Sequence, residues 1–341
     1  MDRSDVALLL KNEAMRVTPE LQSEYYTKKK YQPFYPKFTT VKPISSMEWT
    51  APKMGGGSAY SQETSLIGIP RLFKRAEKEA IKFVDASLGF PIYIKKQSYD
   101  VGAELTLELN RDVKSLKTQL KNWLIDQNLP DAVMQTKEEE AAKLITEGAY
   151  VAGSDMYDNS IAGILNPSYG KFVYDGKPLF NLSNNLRSNK AGSTFYNHLG
   201  ATTYLTYDNL VSADTLLMST NAKKEDNTPF NNNLQNFLMT GTALRLTSEV
   251  ILNSTLTPNN NNNSVNPLKG AYEPIANPFL NTTTGWVAGN KYGIVWYDSD
   301  DIQFEVWKVY ESNLLRISAH VDLAYGVKDW RALVAGGLAT A

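Results

Sequence analysis

The sequence predicts an α+β fold, and three features of its 341 residues predict it. Two stretches alternate apolar with polar residues, the period of a half-buried strand: Leu105, Leu107 and Leu109, then Leu315, Ile317, Ala319, Val321 and Leu323. Two others carry helical spacing, through Val113, Leu116, Leu120 and Trp123/Leu124, then Ala141, Leu144, Ile145 and Ala149. The C-terminal end is rich in β-branched and aromatic residues, at 293–297 and 302–310.

In chain order, the first hundred residues look unlike a packed domain. Between residues 25 and 52 stand Pro33, Pro36, Pro43 and Pro52, a density that forbids helix and disfavours a central strand. Interleaved aromatics, among them Tyr31, Phe34, Tyr35, Phe38 and Trp49, need burial, since disordered linkers are poor in them. Two arrangements satisfy both facts: an extended arm lying on a neighbouring surface, or an irregular piece wrapped on its own domain. Gly55-Gly56-Gly57 follows, but no Lys-Ser/Thr succeeds it as a phosphate loop requires. Arg71, Lys74, Arg75, Lys78 and Lys82 recur at three- and four-residue steps, which predicts a short helix with a basic face. Residues 90–96 read as a returning strand, so about fifty residues from 45 to 96 form a long basic hairpin; excursions of that length inside a compact domain have a function.

The regular body starts with the strand at 103–109 and a helix ending before Pro130. A second helix is expected to open at Thr136, whose hydroxyl and Glu139 fit a capping box, with acidic Glu138–Glu140 in its first turn. A hairpin is expected at 172–180, and helices at 207–220 and 242–252, with Leu210, Ala213, Leu217, Leu244, Ser248 and Ile251 inward. Asparagine-rich segments at 221–233 and 259–266 read as solvated loops. Strands follow, then a glycine/alanine tail.

Composition narrows the function. No cysteine and two histidines, His198 and His320, argue against disulfides and a zinc centre. No run approaches a spanning helix or a signal peptide, so a soluble product made in the cytoplasm is expected. The net charge of −1 does not suit a dedicated nucleic-acid binder. It is unevenly spread: residues 1–100 hold 16 Lys and Arg against 11 Asp and Glu, the remainder 19 against 25, so the two parts attract one another between copies or merely decorate solvated faces. Asp298, Asp300 and Asp301 lack the glycine and late glutamate of a calcium loop and read as a turn. No serine elbow or recognisable carboxylate pair appears. No catalytic residue, metal or cofactor is expected, and the chain reads as one whose function is contact with copies of itself.

Three phrases, in order, add a resemblance. Tyr174-Asp175-Gly176-Lys177-Pro178-Leu179-Phe180-Asn181, then Thr206-Tyr207-Asp208-Asn209-Leu210, then Asn277-Pro278-Phe279-Leu280 with Tyr325-Gly326-Val327 and Trp330-Arg331 resemble segments of tailed-bacteriophage major capsid proteins of the Hong Kong 97-type fold, Mu-like major head subunits closest. The likeness runs from about Tyr31 to Ala341 in layout. It implies an N-terminal arm (1–45), an extended loop (46–100), a peripheral domain with a spine helix (101–170 and 305–341) and an apical domain (171–304). It implies a non-enzymatic head protein that assembles, in the host cytoplasm, as hexamers and pentamers into the icosahedral virion shell. Partners would be the portal, scaffold or cement proteins, and packaged double-stranded DNA held non-specifically, with no membrane. With few residues before this likeness begins, a built-in scaffold is not expected. Inter-subunit contacts are expected from Arg71, Lys74 and Arg75 in the loop and from Tyr31, Phe34, Tyr35 and Trp49 in the arm. Two other classes compete: a secreted or surface β-rich binding protein, suggested by Tyr, Asn and Thr richness, and a hydrolase with an unrecognised carboxylate pair.

Overall fold

The computed structural model describes residues 33–43, 60–64, 91–95, 97–106, 129–146, 178–189, 191–224, 226–232, 236–258, 264–280, 282–298, 303–309 and 314–338. Four α-helices among them are α1 (Tyr35–Phe38), α2 (Leu129–Thr146), α3 (Tyr207–Thr215) and α4 (Arg245–Asn253). The strands are β1 (Thr40–Pro43), β2 (Tyr60–Thr64), β3 (Pro91–Lys95), β4 (Gln97–Thr106), β5 (Arg187–Ser188), β6 (Thr194–Phe195), β7 (Asn236–Thr240), β8 (Glu273–Ala276), β9 (Trp286–Asn290), β10 (Ile294–Asp298), β11 (Gln303–Val309), β12 (Leu314–Val327) and β13 (Leu333–Gly336). Helix and strand are mixed, as the α+β reading expects.

The first sheet is organised by β12, the clean alternation of the sequence extended to 14 residues. One flank pairs antiparallel with β4, from Leu314↔Thr106 to Leu323↔Gln97. The other flank pairs first with β11 and then with β10, whose far edge takes β1 in parallel. Val321 and Leu323 turn inward while His320 and Asp322 stay half-buried, the period-two pattern of a strand with one wet face. The second sheet runs β13-β9-β7-β8. β13, β9 and β7 are buried on both faces, while the edge strand β8 exposes Glu273 and Pro274. Phe237, Met239, Val287, Leu333 and Ala335 join a core with Trp296, Tyr325 and the α2 residues Ala141, Leu144 and Ile145. Leu238, Trp286, Ala288 and Val334 point the other way, onto Leu210, Ala213 and Leu217 of the α3 region and Ile251 and Leu252 of α4. Layers therefore stack as first sheet with α2, second sheet, then α3 and α4.

Several expectations are corrected. The second helix opens at Leu129, with Pro130 in its first turn, where a missing N–H costs nothing. Thr136 is interior, and its hydroxyl donates to the Ala132 carbonyl at 2.9 Å. Proline does not exclude helix in the N-terminal stretch either, because Pro36 sits at the start of α1. Thr206 does cap α3, accepting from the Asn209 N–H, but residues Leu216–Thr220 continue it as a π turn. A 3₁₀ turn, Thr242–Leu244, leads into α4. The glycine/alanine tail contains the buried strand β13. The asparagine-rich segments are not simply solvated: Asn221, Asn232 and Asn266 are buried. The expected helix at 113–124, the glycine triplet, the basic helix at 71–82, most of the hairpin at 172–180 and the five asparagines at 259–263 lie outside the described residues.

Candidate functional site at the arm–helix junction

The densest polar arrangement lies where the first described residues meet α2. Glu138, fully buried, accepts hydrogen bonds from the backbone N–H groups of Phe34 (2.7 Å) and Tyr35 (3.2 Å). A carboxylate receiving two N–H donors satisfies groups that the first turn of α1 cannot pair internally. Immediately before Glu138, the buried Lys137 ammonium lies 2.6 Å from Asp298 Oδ1 at the end of β10. The Tyr35 hydroxyl donates to Asp298 Oδ2 at 2.5 Å, so α1, α2 and β10 share one carboxylate. Two residues on, Glu140 accepts from the Tyr325 hydroxyl of β12 at 2.7 Å and pairs with Lys143 at 2.8 Å. The acidic run read as a dipole-facing first turn thus sits mid-helix and ties α2 to the chain's N-terminal segment and to β12.

Apolar contacts fix the same junction. Tyr35 lies 5.1 Å from Trp296, which stacks on Tyr325, its directly opposed cross-strand partner, at 5.1 Å and 8°. Phe38 is fully buried against Phe237. β1 then adds to β10, with Thr40↔Val295 through Pro43↔Asp298. Chain leaving at Pro43 and chain returning in β4 therefore both attach to the first sheet. Within that excursion β2 and β3 pair antiparallel, Tyr60↔Lys95 to Thr64↔Pro91, bracketing residues 65–90.

Two residues expected at subunit contacts lie here. Tyr35 is 6% exposed, and Phe34, partly buried, packs on the same core of its own subunit. Of the two arrangements open to the proline-rich stretch, residues 33–43 take the one wrapped on their own domain. Tyr31, Trp49, Arg71, Lys74 and Arg75 lie outside the described residues. The pairing residues Lys137, Glu138 and Glu140 were missed as a site; their signal was an acidic and basic run at positions where the apolar stripe predicts burial.

A second buried polar knot braces the far end of the core. Arg187 and Arg331 hold their guanidinium carbons 4.8 and 4.4 Å from the Trp330 ring. Asp329 Oδ1 accepts from the Arg331 backbone N–H at 3.0 Å. Burial pushes the Asp329 carboxyl above the usual range, while the two arginines pull it down. Nothing here is exposed to a substrate. His198 is buried, and desolvation lowers it to about 4, partly opposed by the Leu338 backbone. His320 lies 3.2 Å from Asp322 on β12. Among the described residues no group of three or more His, Cys, Asp or Glu side chains is placed to hold a metal ion.

A model of the family described as phage capsid protein matches residues 125–336, well over half of the chain. The chain belongs to the phage capsid protein family. That membership makes it a phage capsid protein. No curated protein matches its sequence. Solved structures that it resembles include the satellite phage P4 procapsid with its size determination (Sid) protein (10% identity, TM-score 0.45, covering 92% of this chain and 98% of that one). Others are the cyanophage P-SCSP1u capsid (10%, 0.44, 91% and 89%) and Gordonia phage Cozz (12%, 0.43, 91% and 87%).

Proposed function

We propose that this capsid protein works through the Hong Kong 97-type division of labour, building an icosahedral shell around double-stranded DNA from hexamers and pentamers of itself. In this reading residues 1–45 are the arm, 46–100 the extended loop, 101–170 and 305–341 the peripheral domain, and 171–304 the apical domain. Strand pairing supports the division and shifts its limits. Residues 33–43 and β10 go with the peripheral sheet and α2, the spine helix; β13 goes with the apical sheet. The observation that carries the proposal is the double anchoring of residues 44–96, by β1 at one end and β4 at the other, on one sheet. A segment so held can reach a neighbour while its own body stays intact.

Arg71, Lys74 and Arg75 then rest on acidic surface of the next copy, with Tyr31 and Trp49 adding apolar burial. Exposed pairs give only ~0–1 kcal/mol each, so burial supplies most of the affinity. The role is structural, with no catalytic step. Assembly takes place in the host cytoplasm, with a portal and scaffold or cement proteins as partners, and packaged DNA is touched without sequence preference.

Deleting residues 50–85 is the direct test. The shortened chain is expected to give a soluble subunit with unchanged circular dichroism in the body and no particles by negative-stain microscopy. Particles of normal form from that chain would refute the loop assignment.

A further inference from the structure

Helix α4 buries Ser248, Ile251 and Leu252 against the second sheet. Its opposite face is also apolar: Leu246 is 73% exposed and Val250, one turn on, 58%. Just beyond the helix, Leu256 and Val265 face each other as a bridge pair at the neck of a hairpin, and both are exposed. A helix with aliphatic side chains on both faces is built to be covered on both. These four are half of the large exposed hydrophobics among the described residues, gathered within twenty positions of sequence.

We infer that this outer face of α4, with the Leu256/Val265 neck, is a contact surface for a second copy of the same chain. Charge supports that occupant. Arg245 and Glu249 beside the patch pair with each other at 3.1 Å, and a further cation at its neck, Lys269, donates to the Thr255 hydroxyl at 3.2 Å, so among the described residues the patch lacks the run of basic side chains a nucleic acid would need. Size supports it too. A standalone complex needs roughly 20–30 residues a side, far more than this patch supplies. A contact repeated around every ring of a shell needs much less, because symmetry multiplies it. Backbone pairing is not the mode of attachment: β8, the sheet edge beneath α4, carries Pro274, which has no N–H to give an incoming strand. Side chains make the contact.

The inference rests on the shell-forming role, and the test separates the two. The chain has no cysteine, so Val250→Cys introduces a single thiol. Labelling by a maleimide-linked polyethylene glycol is followed on gels for assembled particles and for dispersed subunits. At least a tenfold slower reaction in particles is expected. Equal rates in both forms would overturn the contact. So would slow labelling already in the dispersed subunit, which would mean that the chain covers this face itself. Protection that arises only when a second protein species is added would assign the face to that species instead. Failure of the unsubstituted chain to make particles would count against the shell-forming role and not against this face specifically. Leu246→Asp guards against an uninformative cysteine variant: it is expected to keep its circular dichroism and lose particles, and normal particles from it would also overturn the contact.

Discussion

Buried amides join segments of this protein that share at most isolated bridge pairs. The Asn197 amide nitrogen lies within 2.8–3.3 Å of the carbonyls of Leu179, Trp330 and Leu333, and its Oδ1 accepts from the Asn181 N–H. Asn232 bonds the carbonyls of Leu217 and Arg331, and Asn266 those of Ile251 and Ser254. A neutral side chain with two donors and an acceptor suits irregular backbone whose polar groups must be paired on burial. Next to Asn197, the His198 Nδ1 accepts from the Gly200 N–H at 2.9 Å. With a folded value of about 4 against 6.5 for the free side chain, the unfolded chain takes up this proton first. Stability is therefore whole above pH 6.5 and falls as pH drops toward 4, by up to about 3 kcal/mol from this group. His198→Asn keeps an acceptor for the N–H two residues on, without the titration. Urea unfolding of dispersed subunits at pH 7 and pH 5 is expected to show a smaller acid loss in the variant; parallel losses would remove His198 as the cause.

At the scale of elements, tight backbone approach decides where glycine is required. A Cβ on Gly289 of β9 would lie 2.4 Å from the Ala332 carbonyl oxygen and 2.6 Å from the Leu333 side chain. Backbone cannot move aside as a flexible side chain can. Gly289→Ala is expected to cost about 1–3 kcal/mol by overpacking, read as a lower urea midpoint with an unchanged slope; an unchanged midpoint would show that β9 and β13 separate easily. This part of the fold was also the least legible in the sequence. The strand β12 announced itself because apolar and polar residues alternate in sequence from Leu315 to Leu323. Phe237-Leu238-Met239, Trp286-Val287-Ala288 and Leu333-Val334-Ala335 are buried on both faces, so alternation vanishes and helix and strand look alike. Helices α3 and α4 were legible through Leu210, Ala213, Leu217 and Ile251. The start of α2 was not, because Thr136 and Glu139 match a capping box yet lie inside the helix. For the junction, Phe34 and Tyr35 were visible as aromatics needing burial. Their acceptor Glu138 stands 104 and 103 positions away, a distance at which no local pattern connects them.

For the whole molecule, the attachment of residues 33–43 to α2 and β10 fixes where the chain runs on toward the proposed extended loop. Residues 33–43 are spent on the subunit's own core, so the proposed extended loop departs from β1. Glu138 is one polar element of that attachment, beside the Tyr35–Asp298 hydrogen bond, and removing it strands two N–H groups. Glu138→Ala is expected to cost about 2–3 kcal/mol, since charged acceptors are worth more than neutral ones and unsatisfied donors carry a penalty. The loss should be local. Hydrogen exchange at residues 34–41 is expected to speed up at least tenfold, with β7 and β9 unchanged, because those strands are held by the second sheet's own pairing. Glu138→Gln keeps one good acceptor and should recover part of the protection. On the proposed extended-loop reading, fewer closed particles should accompany a loosened strand β1, since the loop would depart from an unfixed point. Unchanged exchange at 34–41 in Glu138→Ala would show that Phe38 and the β1–β10 pairing hold the arm alone.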